Sequence, residues 1–418
     1  FWSDGRNWDI TTSARPEQVK AIFRRTVDTG IRHGTVMVLL GGDGYEVTTY
    51  RIDGEYEDGR HPKEVTFTAS LAEDLCRRDF TINAMAYCPE DGLIDLFGGM
   101  EDIAARRVRA VGDPWKRFAE DALRIMRAVR FSAQLGYEIE ETTLEAVREL
   151  APTLEKISAE RVSAELTKLL VSEHPGELRT LYETGITRVI LPELDRCMET
   201  PQNNPHHLYS VGEHIIRSVE AIRPDRVLRY TMLFHDIGKP SCHYTDAQGI
   251  DHFHGHAPAG ARMAADIMRR LRFDNETARR VETLVRYHDI NIEETPYAVR
   301  RSMSVIGEEL FPLLFEVKLA DGAAQSRYRL EEKRQKIEAW ESIYRKVLED
   351  GDCLSLKGLA VSGQDLIAAG MRPGREMGEL LQRMLEDVLQ YPAHNTREYL
   401  MKLYCPESAR AASEGEVQ

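Results

Sequence analysis

The stretch Arg77-Arg78-Asp79-Phe80-Thr81-Ile82-Asn83-Ala84-Met85, taken with Glu120-Asp121-Ala122-Leu123-Arg124 about forty residues further on, decides how this chain is read. The second block carries chemistry of its own. On a helix, Asp121 and Arg124 are three residues apart and share a face. An ionised Asp only accepts hydrogen bonds and an Arg only donates them. Cytosine and adenine each place an exocyclic amino donor beside a ring-nitrogen acceptor on the pairing edge. Uracil and guanine offer carbonyl acceptors and ring N–H donors there. An Asp–Arg pair therefore complements C and A and can choose them without a template. The plainer alternative is an ordinary surface ion pair, which is common on helices and weak.

The chain has 418 residues, enough for several domains or an elongated body of several parts. Its hydrophobic fraction of 42% supports real cores, its mean hydropathy is -0.42, and no apolar run is long enough to span a bilayer. The cysteines Cys76, Cys88, Cys197, Cys242, Cys353 and Cys405 are scattered, which favours free thiols in a reducing cytoplasm over a disulfide framework or zinc cluster. A net charge of -14 argues against wholesale nucleic-acid binding. Between Ile103 and Arg130, however, eight basic residues stand against three acidic ones. Such a local basic path can bind phosphates with salt-sensitive affinity; the alternative is a solvated helix face.

Asn7 to Thr11 reads as a short strand. Ser13 is expected to cap a helix with Pro16 and Glu17 in its first turn, running to about Arg25. Thr35 to Leu40 and Tyr45 to Arg51, around Gly41-Gly42-Asp43-Gly44, predict a hairpin. From Ser70 onward the chain reads as mostly helical, with capping boxes at Ser70–Glu73 and Thr142–Glu145. Pro114 precedes a predicted long helix carrying Glu120 to Arg130, and Lys156-Ile157-Ser158-Ala159-Glu160-Arg161 opens another that ends near Leu170. A Pro/Asn-rich segment, Thr200 to Pro205, precedes a His-rich region, and Asp350-Gly351-Asp352 leads into a helical tail.

From Gly5 to about Leu403 the chain resembles the class II CCA tRNA nucleotidyltransferases and their poly(A) polymerase relatives. The resemblance implies an α+β fold. A small polymerase-beta-like nucleotidyltransferase head of mixed α/β structure (residues 1–115) precedes an all-helical neck for nucleotide and RNA (116–200). An HD body (201–325) and a helical tRNA-binding tail (326–418) follow. It implies that Arg77, Arg78, Asp79 and Asn83 contact nucleotide, and that Glu120, Asp121 and Arg124 select the base, with Arg127 and Arg130 on the same basic path. Glu160 and Arg161 match a neck motif of more structural role.

Transfer of a nucleotidyl group to a hydroxyl needs divalent cations held by clustered carboxylates. The family has Asp-X-Asp where this chain has Asn7-Trp8-Asp9, so Asp9 and Glu46 are expected to hold Mg²⁺ while Asn7 departs from the pattern. The family's Gly-Gly-X-Val-Arg-Asp strand for the triphosphate has no counterpart ahead of Asn7. The chain begins at Phe1 with no visible signal peptide, and the start is expected to be an incomplete N-terminus with impaired transfer.

A second constellation runs His214, His235-Asp236, His256, His288 and Asp321, with Lys239 in His235-Asp236-Ile237-Gly238-Lys239. It resembles an HD domain, a helical metal-dependent phosphohydrolase fold. The implied ligands to a divalent metal, whose identity stays open, are His214, His235, Asp236 and Asp321. His256 and His288 line the site or hold a second ion. His252 and His254 are expected to be solvated. Val361-Ser362-Gly363-Gln364-Asp365-Leu366, with Gly370, Pro373-Gly374 and Gly378, resembles the family's tRNA-gripping tail; on spacing alone helix caps serve equally well.

The expected activity is addition of CMP and AMP from CTP and ATP to a tRNA 3′ end, in the cytoplasm, with no membrane partner and the oligomeric state open. The rivals are A-only or C-only addition, an HD phosphatase or cyclic phosphodiesterase with a non-catalytic RNA-binding head, and an inactive fragment that binds tRNA.

Overall fold

The computed structural model describes residues 9–53, 65–204, 208–325 and 330–405. The chain divides into two compact units, residues 1–196 with 267–273, and residues 197–266 with 274–418. The four segments expected above are a finer division than these two.

The first unit opens with a sheet of order β1-β4-β3-β2: β1 (Ile10–Thr12), β2 (Thr26–Gly30), β3 (Thr35–Leu40) and β4 (Asp43–Thr49). The predicted hairpin is β3–β4. Its pairing runs down to Leu40↔Asp43, so the loop is Gly41-Gly42 alone, at φ 63° and 102°. Two successive positive φ values need residues without a Cβ penalty, which explains the glycine pair. Helix α1 (Pro16–Ile22) packs Val19 against Val36, Val38 and Val47 on one sheet face. Its cap is Arg15, not Ser13, because Gln18 Oε1 accepts the Arg15 N–H at 2.8 Å. It stops at Ile22, ahead of β2, a largely exposed strand whose weak alternation gave no clear sequence signal. Asn7 lies outside the described residues.

Beyond the sheet come β5 (Arg51–Asp53) paired with β6 (Val65–Phe67), α2 (Leu71–Cys76), the hairpin β7 (Met85–Cys88) and β8 (Gly92–Asp95), and α3 (Gly99–Ala104). β9 (Arg107–Val108) runs parallel to β10 (Glu138–Ile139). The helices α4 (Pro114–Glu120), α5 (Leu123–Leu135), α6 (Glu141–Leu150) and α7 (Ala159–Leu170) bury Phe118, Ile125, Met126, Val147 and Leu166.

Two further helix starts differ from expectation. α6 is capped by Glu140, whose carboxylate accepts the Thr143 N–H at 2.8 Å, so the cap lies two residues before Thr142. The single helix expected through Glu120–Arg130 is two. Asp121 is extended, at φ -140° and ψ 103°, and its Oδ1 accepts the Leu123 N–H at 3.0 Å. A short acidic side chain that bonds its own downstream backbone competes with the helix and restarts it.

The second unit is mostly helical. Its framework is α8 (Val211–Ala221), α9 (Arg226–Phe234), the short α10 (Lys239–Cys242), α11 (Asn275–Tyr287), α12 (Pro296–Ile306), α13 (Phe311–Ala323) and α14 (Leu330–Asp350). A helix His256–Arg270 begins in this unit. Tyr230, Phe234, Val281, Leu284 and Phe311 form its core. It is not all helical: Tyr244–Thr245 and Asp251–His252 make a small antiparallel hairpin. In the tail, Ser362 and Asp365 form a reciprocal capping box on the helix Gly363–Ala368, the plainer of the two readings offered for that motif. Among the described residues no helix is long and apolar enough to cross a membrane.

Candidate functional site

The two sequence blocks meet in the first unit. Arg124 Nη2 donates to the Arg77 carbonyl at 2.7 Å, and Arg127 Nε donates to Asp79 Oδ2 at 2.7 Å. Asp79 Oδ1 accepts the Phe80 N–H at 2.9 Å and Asn83 Nδ2 at 3.4 Å, while Arg78 Nη1 donates to the Asn83 carbonyl at 3.2 Å. Beneath them sits Asp74, fully buried, which takes Arg77 Nη2 at 2.7 Å and lies 3.6 Å from Arg78. Sequence reasoning missed Asp74. The signal was present, since an acid three and four residues before two arginines is in reach of both.

Asp121 and Arg124 do not pair with each other. With Asp121 off the helix, its Oδ2 accepts Arg161 Nη2 at 2.8 Å. Arg124 Nη1 donates to Glu120 Oε2 at 2.7 Å and to the Arg117 carbonyl at 3.0 Å. Three of the five guanidinium N–H groups are thus held by the scaffold, leaving two donors for a ligand. Each Asp121 oxygen keeps a lone pair.

The basic path is mostly internally neutralised. Arg109 pairs with Asp102, Arg117 and Arg124 with Glu120, Arg127 with Asp79, and Arg130 with Glu165. Arg130 also lies over the Phe131 ring at 3.6 Å. The Arg130–Glu165 pair is buried at 2.8 Å, and no local sequence signal links residues on separate helices. Glu165→Ala should cost about 3–5 kcal/mol, since it strands a buried guanidinium. Replacing both residues by leucine should cost less; urea denaturation of the two variants gives the comparison.

On the sheet, the parallel register pairs Ile10 with Val47 and Thr11 with Thr48. One step back along the same register aligns Asp9 with Glu46, both exposed. Neighbours in register point to the same face.

The second unit brings the histidine set together. His214, His235 and Asp236 form one group with metal-ligand spacing, and Asp236, His256 and His288 form another, so Asp236 is shared. Its Oδ2 lies 3.4 Å from both His214 and His235 Nε2, and its Oδ1 lies 3.4 Å and 3.7 Å from His256 and His288 Nε2. Asp321 Oδ1 is 2.9 Å from His214 Nε2, and Lys239 Nζ is 2.6 Å from Asp236 Oδ2. Burial alone would raise the Asp236 pKa; Lys239 and the surrounding histidines overcome it and hold the carboxyl well below its usual range.

Backbone carbonyls fix the rings. His235 Nδ1 faces Met232 O at 2.7 Å, His288 Nδ1 faces Val285 O at 2.7 Å, and His256 Nδ1 faces Phe253 O at 2.9 Å. A carbonyl only accepts, so each Nδ1 carries a proton, and a ring with no second proton turns its Nε2 lone pair inward. Yet His214 and His235 Nε2 are 3.2 Å apart, as are His256 and His288 Nε2. Two lone pairs facing each other at that distance repel unless a proton, shared as an N–H···N hydrogen bond, or a metal cation lies between them. His252 stands apart from the cluster, bound to Asp246 at 2.7 Å and stacked on Tyr244.

The cluster depends on a close backbone approach. A Cβ on Gly238 would lie 2.4 Å from His256 O and 2.5 Å from Gly260 N. Neither backbone atom can yield cheaply. Gly238→Ala should therefore push the start of the His256 helix away from Asp236, destabilise the protein by about 1–3 kcal/mol and weaken dication binding. Thermal unfolding with and without added Mn²⁺ measures both effects.

Comparison with known proteins gives three family matches: "Poly A polymerase head domain" over residues 3–109, "Probable RNA and SrmB- binding site of polymerase A" over 136–198, and tRNA nucleotidyltransferase domain 2 over 256–404. A CCA-adding enzyme of Levilactobacillus brevis is 35% identical over 376 residues, covering 89% of this chain and 82% of that protein. The chain belongs to the CCA-adding enzyme family. A CCA-adding enzyme of Leuconostoc citreum is 58% identical over 183 residues, a match spanning about half of each protein, 44% of this chain and 45% of the relative. The Bacillus stearothermophilus CCA-adding enzyme, solved in complex with CTP, superposes with a TM-score of 0.66 at 29% identity, covering 97% of this chain and 89% of that one. The mixed α/β start and largely helical remainder are thus the fold of CCA-adding enzymes.

Proposed function

We propose that the chain adds CMP, CMP and then AMP, from CTP and ATP, to the 3′ end of tRNA in the cytoplasm. One observation carries this reading: Arg124 and Asp121 are each anchored by the scaffold, yet keep two donors and two lone pairs uncommitted. The free Arg124 N–H groups meet the ring-nitrogen acceptor of C or A, and Asp121 takes the exocyclic amino group. Asp79 orients Arg127, and Asp74 orients Arg77 and Arg78, so these guanidinium groups are aimed before a triphosphate arrives. In the transfer the tRNA 3′ oxygen bonds the α-phosphorus and pyrophosphate departs.

Asp9 and Glu46, two exposed carboxylates brought into register on adjacent strands, fit Mg²⁺, a hard cation that prefers oxygen ligands. Bound there, Mg²⁺ would neutralise charge on the phosphates. Incubation with tRNA lacking its 3′ end should give slow incorporation, since Asn7 stands where the family has a carboxylate, of CMP and AMP in order, with UMP and GMP excluded. Indifference to nucleotide identity would overturn the reading.

A second reading concerns the histidine cluster as an HD-type phosphohydrolase site. The inward Nε2 lone pairs and the shared Asp236 fit a divalent metal, with His214, His235, Asp236 and Asp321 as ligands and His256 and His288 beside them. Such an ion would polarise a phosphate and acidify a bound water. Metal analysis of the purified chain tests it.

A further inference from the structure

The carboxylate of Asp321 is approached from two sides. On one side are the rings of the cluster. Oδ1 is the nearer oxygen to both, 2.9 Å from His214 Nε2 and 3.6 Å from His235 Nε2. On the other side is Gln325, four residues on and just past the end of α13, a spacing that brings the two side chains into reach. Its Nε2 lies 3.0 Å from Oδ1 and 2.9 Å from Oδ2. The same turn of chain also holds His214 from behind, since the Ala324 carbonyl faces its Nδ1 at 3.3 Å.

The Gln325 amide is itself held. Lys333, near the start of α14, donates from Nζ to Gln325 Oε1. An ammonium only donates and a carboxylate only accepts. One orientation of the amide satisfies both, with its oxygen to Lys333 and its nitrogen to Asp321. Turned over, the amide would set its oxygen against the carboxylate and its N–H groups against the ammonium. Lys333 thus fixes Gln325, Gln325 fixes Asp321, and Asp321 presents Oδ1 to the histidines.

We infer that Gln325 and Lys333 are positioning residues that make Asp321 a one-oxygen ligand at the histidine cluster. The inference rests on the metal reading of that cluster, in which Asp321 is a ligand. With Gln325 on Oδ2, a dication among the rings meets Oδ1 alone. One carboxylate oxygen beside imidazole nitrogens suits a transition ion such as Mn²⁺. Ca²⁺ needs more oxygens and often takes both from one carboxylate. Gln325 therefore favours Mn²⁺ over Ca²⁺ as well as holding the ligand in place.

The test is calorimetric titration of the purified full chain, stripped with a chelator, against Mn²⁺ and against Ca²⁺, with thermal unfolding of the metal-free proteins alongside. Gln325→Leu keeps most of the side-chain volume. It should weaken Mn²⁺ binding about 10- to 100-fold, the usual cost of losing a partner behind a ligand, and shrink the preference for Mn²⁺ over Ca²⁺. Lys333→Met should lose about tenfold. Lys333→Arg, which also only donates, should keep the parent's affinity. Because the two residues act in series, the double variant should lose no more than Gln325→Leu alone. Equal losses for both ions that add up in the double variant would mean a general loosening of the fold and overturn the inference. Unchanged Mn²⁺ affinity in Gln325→Leu overturns it too, and leaves the metal reading standing. A parent that binds neither ion removes the metal reading and the inference with it.

Discussion

Arg124→Ala should erase the preference for C and A. The two uncommitted guanidinium donors are the only part of the proposed reader that distinguishes a ring-nitrogen acceptor from a ring N–H. Their loss should reduce discrimination by roughly 1–3 kcal/mol per base contact, a factor of about 5–150. Binding of the four nucleoside triphosphates should be measured separately from incorporation, because binding needs no phosphoryl transfer. The same substitution strips Glu120 of one of its two arginines, so Arg124→Lys is the companion variant: it keeps the charge on Glu120 but cannot present a planar pair of donors. Both variants should bind tRNA like the parent. Retained C/A preference in Arg124→Ala would place the reader elsewhere.

Asp236→Ala should have the larger effect on the second unit. Asp236 alone belongs to both metal-competent groups, so its removal empties both at once. Metal retention should vanish, and phosphomonoester or 2′,3′-cyclic phosphate hydrolysis should fall at least about 100-fold. Asp236→Asn keeps the shape and controls for collapse around Lys239, which retains its 2.8 Å bond to Gln202 in either case. Circular dichroism should show the helices intact. A metal-loaded Asp236→Ala protein would mean the histidines bind without their shared carboxylate.

Much of this was legible in the residues. The Gly41-Gly42 turn and the Pro114 helix start were readable because each rests on local chemistry, and the histidine order was readable through the resemblance to an HD domain. The break at Asp121 was not read, since Glu120 to Arg130 keeps helical periodicity through it and one side-chain bond to Leu123 N–H decides the matter. Contacts between distant positions were beyond reach altogether. Nothing near Arg130 points to Glu165. The resemblance to an HD domain supplied the identities of the cluster residues; only the fold shows that Asp236 serves both halves.

The carbonyl contacts of the histidine rings bear on the order in which the second unit is assembled. For His235, His256 and His288 the carbonyl lies three residues earlier in the chain. Each of these rings is keyed by its own turn of backbone, so its tautomer is chosen before the elements meet. His214 differs: its Nδ1 faces Ala324 O, across a sequence gap of 110 residues, at a longer 3.3 Å. It is the one ring whose proton placement waits for long-range closure of the chain. The cluster is thus three rings held by their own turns of backbone and a fourth whose contact requires α13 in place.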